Sequence, residues 1–196
     1  MERTLRAQVR AGDPDAFGVL FDLYGRSVYN HAFRLTGNWS TAEEVVSLTF
    51  LEAWRRREAV HELGESLQPW LLGIATNTAR NAARAARRHQ AAMNRLPAPL
   101  ATPDFADELA DRIDDAARVA AARRAMGKLR QREREVIELC VWSGLEYAAA
   151  AEVLGVPVGT VRSRLSRARK KLEKLVEPTI RWKGEMSDDS QQIPRA

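Results

Sequence analysis

The amino-acid sequence predicts an all-α protein: two small helical domains, the second a helix-turn-helix, joined by a flexible acidic linker. Three observations carry that expectation. Apolar residues recur at spacings of three and four along most of the 196 residues, and no strand pattern stands out. Capping residues, Gly and Pro mark where helices start and stop. Around residues 96–115 the composition changes, first to Pro-containing sequence and then to acidic. The expected division is 1–90 for the first domain, 91–115 for the linker, 116–177 for the second domain and 178–196 for a disordered tail.

In the first domain, Asp13-Pro14 reads as a helix start: Asp caps free amides and Pro tolerates the first helical position. Phe17, Leu20, Phe21, Tyr24 and Val28 then follow helical spacing, and Gly37-Asn38 breaks the pattern. Ser40-Thr41-Ala42-Glu43 fits a capping box opening a helix to about Arg57. On that helix Ala42, Val46, Phe50, Ala53 and Trp54 suit a core. Glu44, Leu48, Leu51 and Arg55 project from the opposite side. Leucines on an otherwise charged face suggest docking on another protein, with burial between two parts of the same domain as the alternative.

After a looser stretch, Glu58 to Gln68, Pro69 opens a helix reaching about Arg88. Trp70, Leu71 and Ile74 form its apolar start. Asn77, Arg80, Asn81, Arg84, Arg87 and Arg88 then line one face, where guanidiniums match the repeat of a phosphate backbone and Asn can address a base edge. His61, Glu62, Glu65 and Ser66 in the preceding loop are polar groups suited to an unstacked base. Trp70 could stack on that base or anchor the helix to the core, and the core is the better expectation.

The linker runs through Leu96-Pro97-Ala98-Pro99 and Thr102-Pro103 into Asp104, Asp107, Glu108, Asp111, Asp114 and Asp115. Beyond it, a helix from Gln131 to Ser143 is expected to bury Val136, Ile137 and Cys140 and to stop at Gly144. The stretch YAAAAEVLGVPVGTVRSRLSRARKKL, from Tyr147 to Leu172, reads as helix, tight turn at Gly155–Pro157, and a second helix rich in Arg, Lys, Ser and Thr. Val158, Val161, Leu165, Ala168 and Leu172 form its inward stripe. Thr160, Ser163, Arg164, Arg167 and Lys171 fall on the other side, as donors for a major groove. A solvated basic surface helix is the plainer alternative.

Composition narrows the function. Lys and Arg number 31 against 26 Asp and Glu, a net charge of +5, so the distribution of charge matters more than its sum. The single cysteine, Cys140, permits no internal disulfide and sits in an apolar helical pattern as a small buried side chain. No signal-peptide or membrane-spanning run is seen, which points to a cytoplasmic protein without membrane insertion. His31, His61 and His89 stand far apart and outside any motif of metal-ligand spacing, and no Gly-rich phosphate loop or nucleophile elbow occurs. No enzyme, metal or cofactor is expected.

Together these segments resemble a known family. GTVRSRLSRARKKL, preceded by LRQREREVIELCVWSGLEY, is similar to region 4 of the extracytoplasmic-function sigma factors, small members of the bacterial sigma-70 family. AEEVVSLTFLEAWRR and QPWLLGIATNTARNAARAARR are similar to region 2, in the family's order and at about its spacing. The resemblance covers nearly everything from Asp13 to Leu175. It implies a non-catalytic subunit that binds core RNA polymerase, directs it to promoters and helps open the duplex.

It also implies roles for individual residues. Glu44, Ser47, Leu48, Leu51 and Arg55 fall where region 2 docks on the clamp helices of the polymerase β′ subunit, and region 4 would meet the β flap. Asn77 matches the Asn beside the pocket for a flipped base of the −10 element. Arg80 and Arg84 follow on the same side, and His61 and Arg87 complete the candidate surface. Arg162, Ser163 and Arg167, with Thr160 and Arg164 nearby and Lys171 one turn on, match the helix that reads the −35 element. An anti-sigma factor would cover these faces.

Three positions depart from the family pattern. Ser47 and Leu48 replace the usual Gln and acidic residue, making the docking face more apolar, and Ala150 stands where a larger aliphatic side chain is common. A regulator binding operators without polymerase is the runner-up reading, and the basic stripe Asn77–Arg88 argues against the sensor domain it would need.

Overall fold

The computed structural model describes residues 2–61, 66–93 and 124–176, and every regular element among them is helical. The expected linker beyond residue 93, the tail at 178–196, and Glu62 and Glu65 of the loop lie outside the described residues.

The first unit contains α1 (Glu2–Ala11), α2 (Pro14–Thr36), α3 (Trp39–Arg55) and α4 (Gln68–Met93). Helix α1 had no sequence signal of its own, yet it ties the unit together. Leu5 and Val9 are buried. Arg6 donates to the carbonyls of His61 and Ser66, both at 2.9 Å, and Arg10 donates to that of Val60. Two guanidiniums thus tie α1 to the backbone at Val60, His61 and Ser66.

The start of α2 follows the sequence expectation. Asp13 Oδ1 accepts from the amides of Asp15 and Ala16 at 2.9 and 3.5 Å, and Gly37, at φ 71°, closes the far end. The start of α3 does not. The cap is Asn38, whose Oδ1 accepts from Thr41 N at 2.9 Å, and Ser40–Glu43 already lie inside the helix. Asn38 caps the amide of Thr41 and so starts the helix two residues earlier than Ser40, capping Glu43, would have done. Helix α4 runs five residues beyond the expected Arg88, because Gln90, Ala91, Ala92 and Met93 are all good helix formers.

Leu20, Val28, Ala32, Val45, Ala53, Val60, Leu71 and Ala75 fill the core between these helices, and Trp70 packs against it. Phe21 does not join them. It is 51 % exposed, edge-on to Phe50 with ring centroids 4.9 Å apart. Fully buried His31 bridges α2 to α4 through a 2.9 Å hydrogen bond between Nε2 and Thr76 Oγ1. Burial, assisted by the Arg34 charge, lowers its pKa to about 3, so the ring is neutral near pH 7.

The second unit contains α5 (Gln131–Ile137), α6 (Tyr147–Leu154) and α7 (Val158–Val176). The expected α-helix to Ser143 is α-helical only to Ile137. A π-helical turn, Glu138–Trp142, then widens the backbone register, with Ser143 N bonded to Glu138 O at 2.9 Å. Glu138 and Leu139 are both fully buried there, while Cys140 is only half-buried. Gly155, at φ 63°, ends α6 and sets up the turn into α7. Val161, Leu165 and Ala168 of α7 pack on Val136, Leu139, Ala150 and Leu154. Val158 is exposed instead of buried, because it occupies the first turn of α7, where the helix emerges from the turn.

The units meet along a seam. Leu72 of α4 belongs to the second unit's apolar cluster, and a Cβ placed on Gly73 would lie 3.8 Å from Val153 Cγ1.

Candidate nucleic-acid interface

The expected −35 residues of α7 divide between two environments. Arg162, Ser163 and Arg167 are exposed on its outer side. Ser163 Oγ donates to Thr160 O at 3.0 Å, and Arg167 folds back so that Nε donates to Ser163 O at 3.1 Å. Arg162 lies over the Tyr147 ring, 5.9 Å from its centroid, which orients its head beside the turn. Thr160, Arg164 and Lys171 are half-buried on the flank nearer α5, where Lys171 Nζ reaches Glu133 at 3.6 Å.

The stripe on α4 is assembled as its spacing predicts. Asn77, Asn81, Arg84, Arg87 and Arg88 are exposed along one side. Each of two Asn side chains accepts from an Arg one turn on: Arg80 Nη1 to Asn77 Oδ1 at 3.1 Å, and Arg84 Nη2 to Asn81 Oδ1 at 2.7 Å. His61 is exposed at the loop edge, but its carbonyl is already engaged by Arg6. Ser66 is half-buried and already engaged locally. Its Oγ accepts from Gln68 N at 3.1 Å at the start of α4 and contacts the Tyr24 hydroxyl at 3.2 Å.

On α3, all five expected docking residues, Glu44, Ser47, Leu48, Leu51 and Arg55, are exposed. Leu48 and Leu51 keep 42 % and 46 % of their surface in solvent, so neither is held between parts of its own domain.

Sequence reasoning missed two carboxylates. Glu135 and Glu138 sit one turn apart on the second unit and are 1 % and 0 % exposed. Glu135 takes both nitrogens of a fork from Arg80, Nε and Nη2, each at 2.7 Å, and this hydrogen bond raises the Arg80 pKa further. Glu138 accepts from Arg34 Nε at 2.5 Å, and Arg34 also stacks over Trp142, 5.1 Å from its centroid. Arg134 adds a bond across the seam, donating to Leu35 O at 3.2 Å. Burial pushes the Glu138 carboxyl up to about 8, outweighing Arg34 and Arg134, and its Oε1 has no hydrogen-bond partner among the described residues. Glutamates inside an apolar helical stretch were the available signal; their partners lie 55 and 104 positions away.

Beside this seam a cleft of about 760 Å³ opens, lined from both units by Arg80, Arg84, Arg87, Arg130, Arg132 and Arg164, among others. Among the described residues no group of His, Cys, Asp and Glu is placed to hold a metal. The geometry offers cationic forks and exposed apolar side chains, which suits binding to polyanions and proteins.

Known proteins match both units. Residues 20–89 match the sigma-70 region 2 family, and residues 120–172 match sigma-70 region 4. RNA polymerase sigma factor CnrH of Cupriavidus metallidurans is 33 % identical over 90 % of this chain and 94 % of its own length. The chain belongs to the extracytoplasmic-function RNA polymerase sigma factors. BldN of Streptomyces coelicolor, named as such a factor, is 32 % identical over 92 % of this chain and 67 % of its own length. Among solved structures, CnrH in complex with the cytosolic domain of CnrY superposes at a TM-score of 0.67, with 29 % identity, covering 91 % of this chain and 99 % of that one. RpoE of Bartonella quintana, solved with the anti-sigma factor NepR, gives 0.66 and 26 % over 84 % and 98 %. This sigma factor is therefore a non-catalytic protein of promoter-specific transcription initiation, with two all-helical regions of the sigma-70 type. No described helix is long and apolar enough to cross a membrane.

Proposed function

We propose that the three faces divide the work of initiation. The α3 ridge of Glu44, Ser47, Leu48, Leu51 and Arg55 docks on the clamp helices of core polymerase, and the second unit meets the β flap. The α4 stripe of Asn77, Arg80, Arg84 and Arg87, with His61 at its edge, holds the −10 element and an unpaired base. Helix α7 reads the −35 element with Arg162, Ser163 and Arg167 facing the groove and Thr160, Arg164 and Lys171 along the backbone. Residues 1–90 and 116–177 act as the two domains, with 91–115 between them, and the protein works in the cytoplasm.

The observation that carries this reading is the exposed leucine ridge. Leu48 and Leu51 contribute little to their own core, and burying such side chains on a partner gains roughly 25 cal/mol per Å² of apolar surface. Promoter opening then needs no bond-making chemistry. Binding of an unstacked base offsets the few kcal/mol lost when it leaves the duplex. The solved complexes of CnrH with CnrY and of RpoE with NepR support a further partner, an anti-sigma polypeptide that covers the polymerase and DNA faces.

Permanganate footprinting of promoter DNA with core polymerase tests the division. Wild-type protein should expose thymines of the −10 element. Asn77→Ala with Arg84→Ala should retain polymerase binding while losing that reactivity. Full reactivity in the double variant would remove α4 from the −10 role.

A further inference from the structure

The cleft beside the seam gathers positive charge from three helices. Arg80, Arg84 and Arg87 come from α4, Arg130 and Arg132 from the start of α5, and Arg164 from α7. Glu135 is the one carboxylate among the described residues of its wall, and both its oxygens are spent on Arg80. The guanidiniums of Arg87, Arg132 and Arg164 make no hydrogen bond or ion pair with another described residue. A cleft lined by one sign of charge between low-dielectric walls focuses its field, so a small anion inside it meets several guanidiniums at once.

Much of this wall lies away from the groups that face promoter DNA. Arg162, Ser163 and Arg167 stand on the outer side of α7, whereas Arg164 is on the flank that lines the cleft. Arg130 and Arg132 are exposed and belong to neither promoter-facing stripe. The volume of about 760 Å³ falls within the range of small-molecule sites, roughly 300–1,000 Å³, and is too small for a duplex. Arg80 to Arg87 covers about 10 Å along the α4 axis, so one phosphate cannot engage the row and a chain of them can. Leu154 and Val156 add an apolar patch to the wall. Beside them Gln131, whose Nε2 donates to Glu135 at 3.3 Å, keeps its amide oxygen as an acceptor.

We propose that the cleft binds a small oligophosphate, a chain of three or more phosphate groups, either free or carried on a nucleoside. Guanidinium forks from both units grip successive phosphates. On a nucleoside, the base lies against Leu154 and Val156. The proposal goes beyond promoter binding and shares Arg80, Arg84, Arg87 and Arg164 with it. Bound oligophosphate therefore competes with the −10 strand.

Titration calorimetry of the full chain at fixed ionic strength tests the site, with inorganic tripolyphosphate as the probe and orthophosphate for comparison. Tripolyphosphate should bind one to one and at least tenfold tighter than orthophosphate. Arg130→Ala with Arg132→Ala should weaken it at least tenfold. Lys170→Ala with Lys174→Ala makes the same charge change at exposed positions outside the cleft and should leave binding unchanged. Equal loss in the two pairs, or no gain over orthophosphate, overturns the proposal. Adenosine triphosphate then identifies the carrier, and either result supports the site. Tighter binding than tripolyphosphate places a base on the apolar patch; equal or weaker binding assigns the free chain.

Displacement of a labelled single-stranded −10 oligonucleotide separates the site from the promoter grip. Tripolyphosphate should displace it from wild-type protein. At the same concentration it should not displace it from the Arg130→Ala, Arg132→Ala variant, which should bind the oligonucleotide as wild type does. If that variant loses oligonucleotide affinity as much as tripolyphosphate affinity, the cleft is part of the promoter grip and the proposal is overturned. Failure in calorimetry leaves the footprinting test of α4 untouched, so the two readings fail separately.

Discussion

Glu138 makes the protein's stability depend on pH in a way that can be worked from the structure. Its carboxyl is fully buried, with Arg34 Nε at 2.5 Å and a second oxygen that has no hydrogen-bond partner among the described residues. Burial raises its pKa from 4.5 to about 8. The folded protein therefore keeps a proton that the unfolded chain releases above pH 4.5. Stability from this group falls as pH rises from 4.5 to about 8 and is flat beyond. Each unit inside that window is worth about 1.4 kcal/mol, so going from pH 6 to 7.5 should cost about 2 kcal/mol. The assay is urea unfolding of wild type and Glu138→Gln at both values. Gln carries no titrating proton, so the difference in stability between the two proteins should shift by about 2 kcal/mol across the interval. A constant difference would refute the reasoning, because it would mean that Glu138 ionises alike in folded and unfolded chains.

Other expectations follow from burial and exposure. Leu165→Ala, in the core beneath α7, should destabilise the protein by about 2–5 kcal/mol in denaturant unfolding and weaken −35 binding with it. Arg162→Ala or Ser163→Ala should leave stability unchanged and cost about 1–3 kcal/mol of discrimination between matched and mismatched −35 sequences in competition binding. Equal loss on all sequences would mean that these residues touch only phosphate. Leu48→Asp with Leu51→Asp should lower affinity for core polymerase at least tenfold without lowering the melting temperature, as both side chains are exposed.

The parts of this architecture written locally were the parts legible in the sequence. Asp13-Pro14, Gly37 and Gly155 each specify a backbone event within a few residues, and each occurs where expected. The stripes of α3, α4 and α7 are likewise local, since helical periodicity alone decides which side chains share a face. At the start of α3, Ser40–Glu43 offers a competing cap of the same local quality as Asn38, and only packing decides between them. The π-turn at Glu138–Trp142 lacks a local signature, so the widened register came only with the tertiary packing. The seam was the larger omission. Glu135 and Glu138 look like surface glutamates until Arg80 and Arg34 arrive from elsewhere in the chain, and α1 shows its purpose only when Arg6 and Arg10 meet the loop carbonyls. Charge pairs at such separations follow from the fold and cannot be read from spacing.

Redirecting polymerase to new start sites is the property on which the proposed role depends. Transcript 5′ ends made from genomic DNA by core polymerase should be mapped with and without the purified protein. New start sites sharing a pair of spaced upstream elements should appear with the wild type and disappear with the Leu48→Asp, Leu51→Asp variant. An unchanged set of 5′ ends, from wild-type protein that is folded and in excess over core, would contradict it.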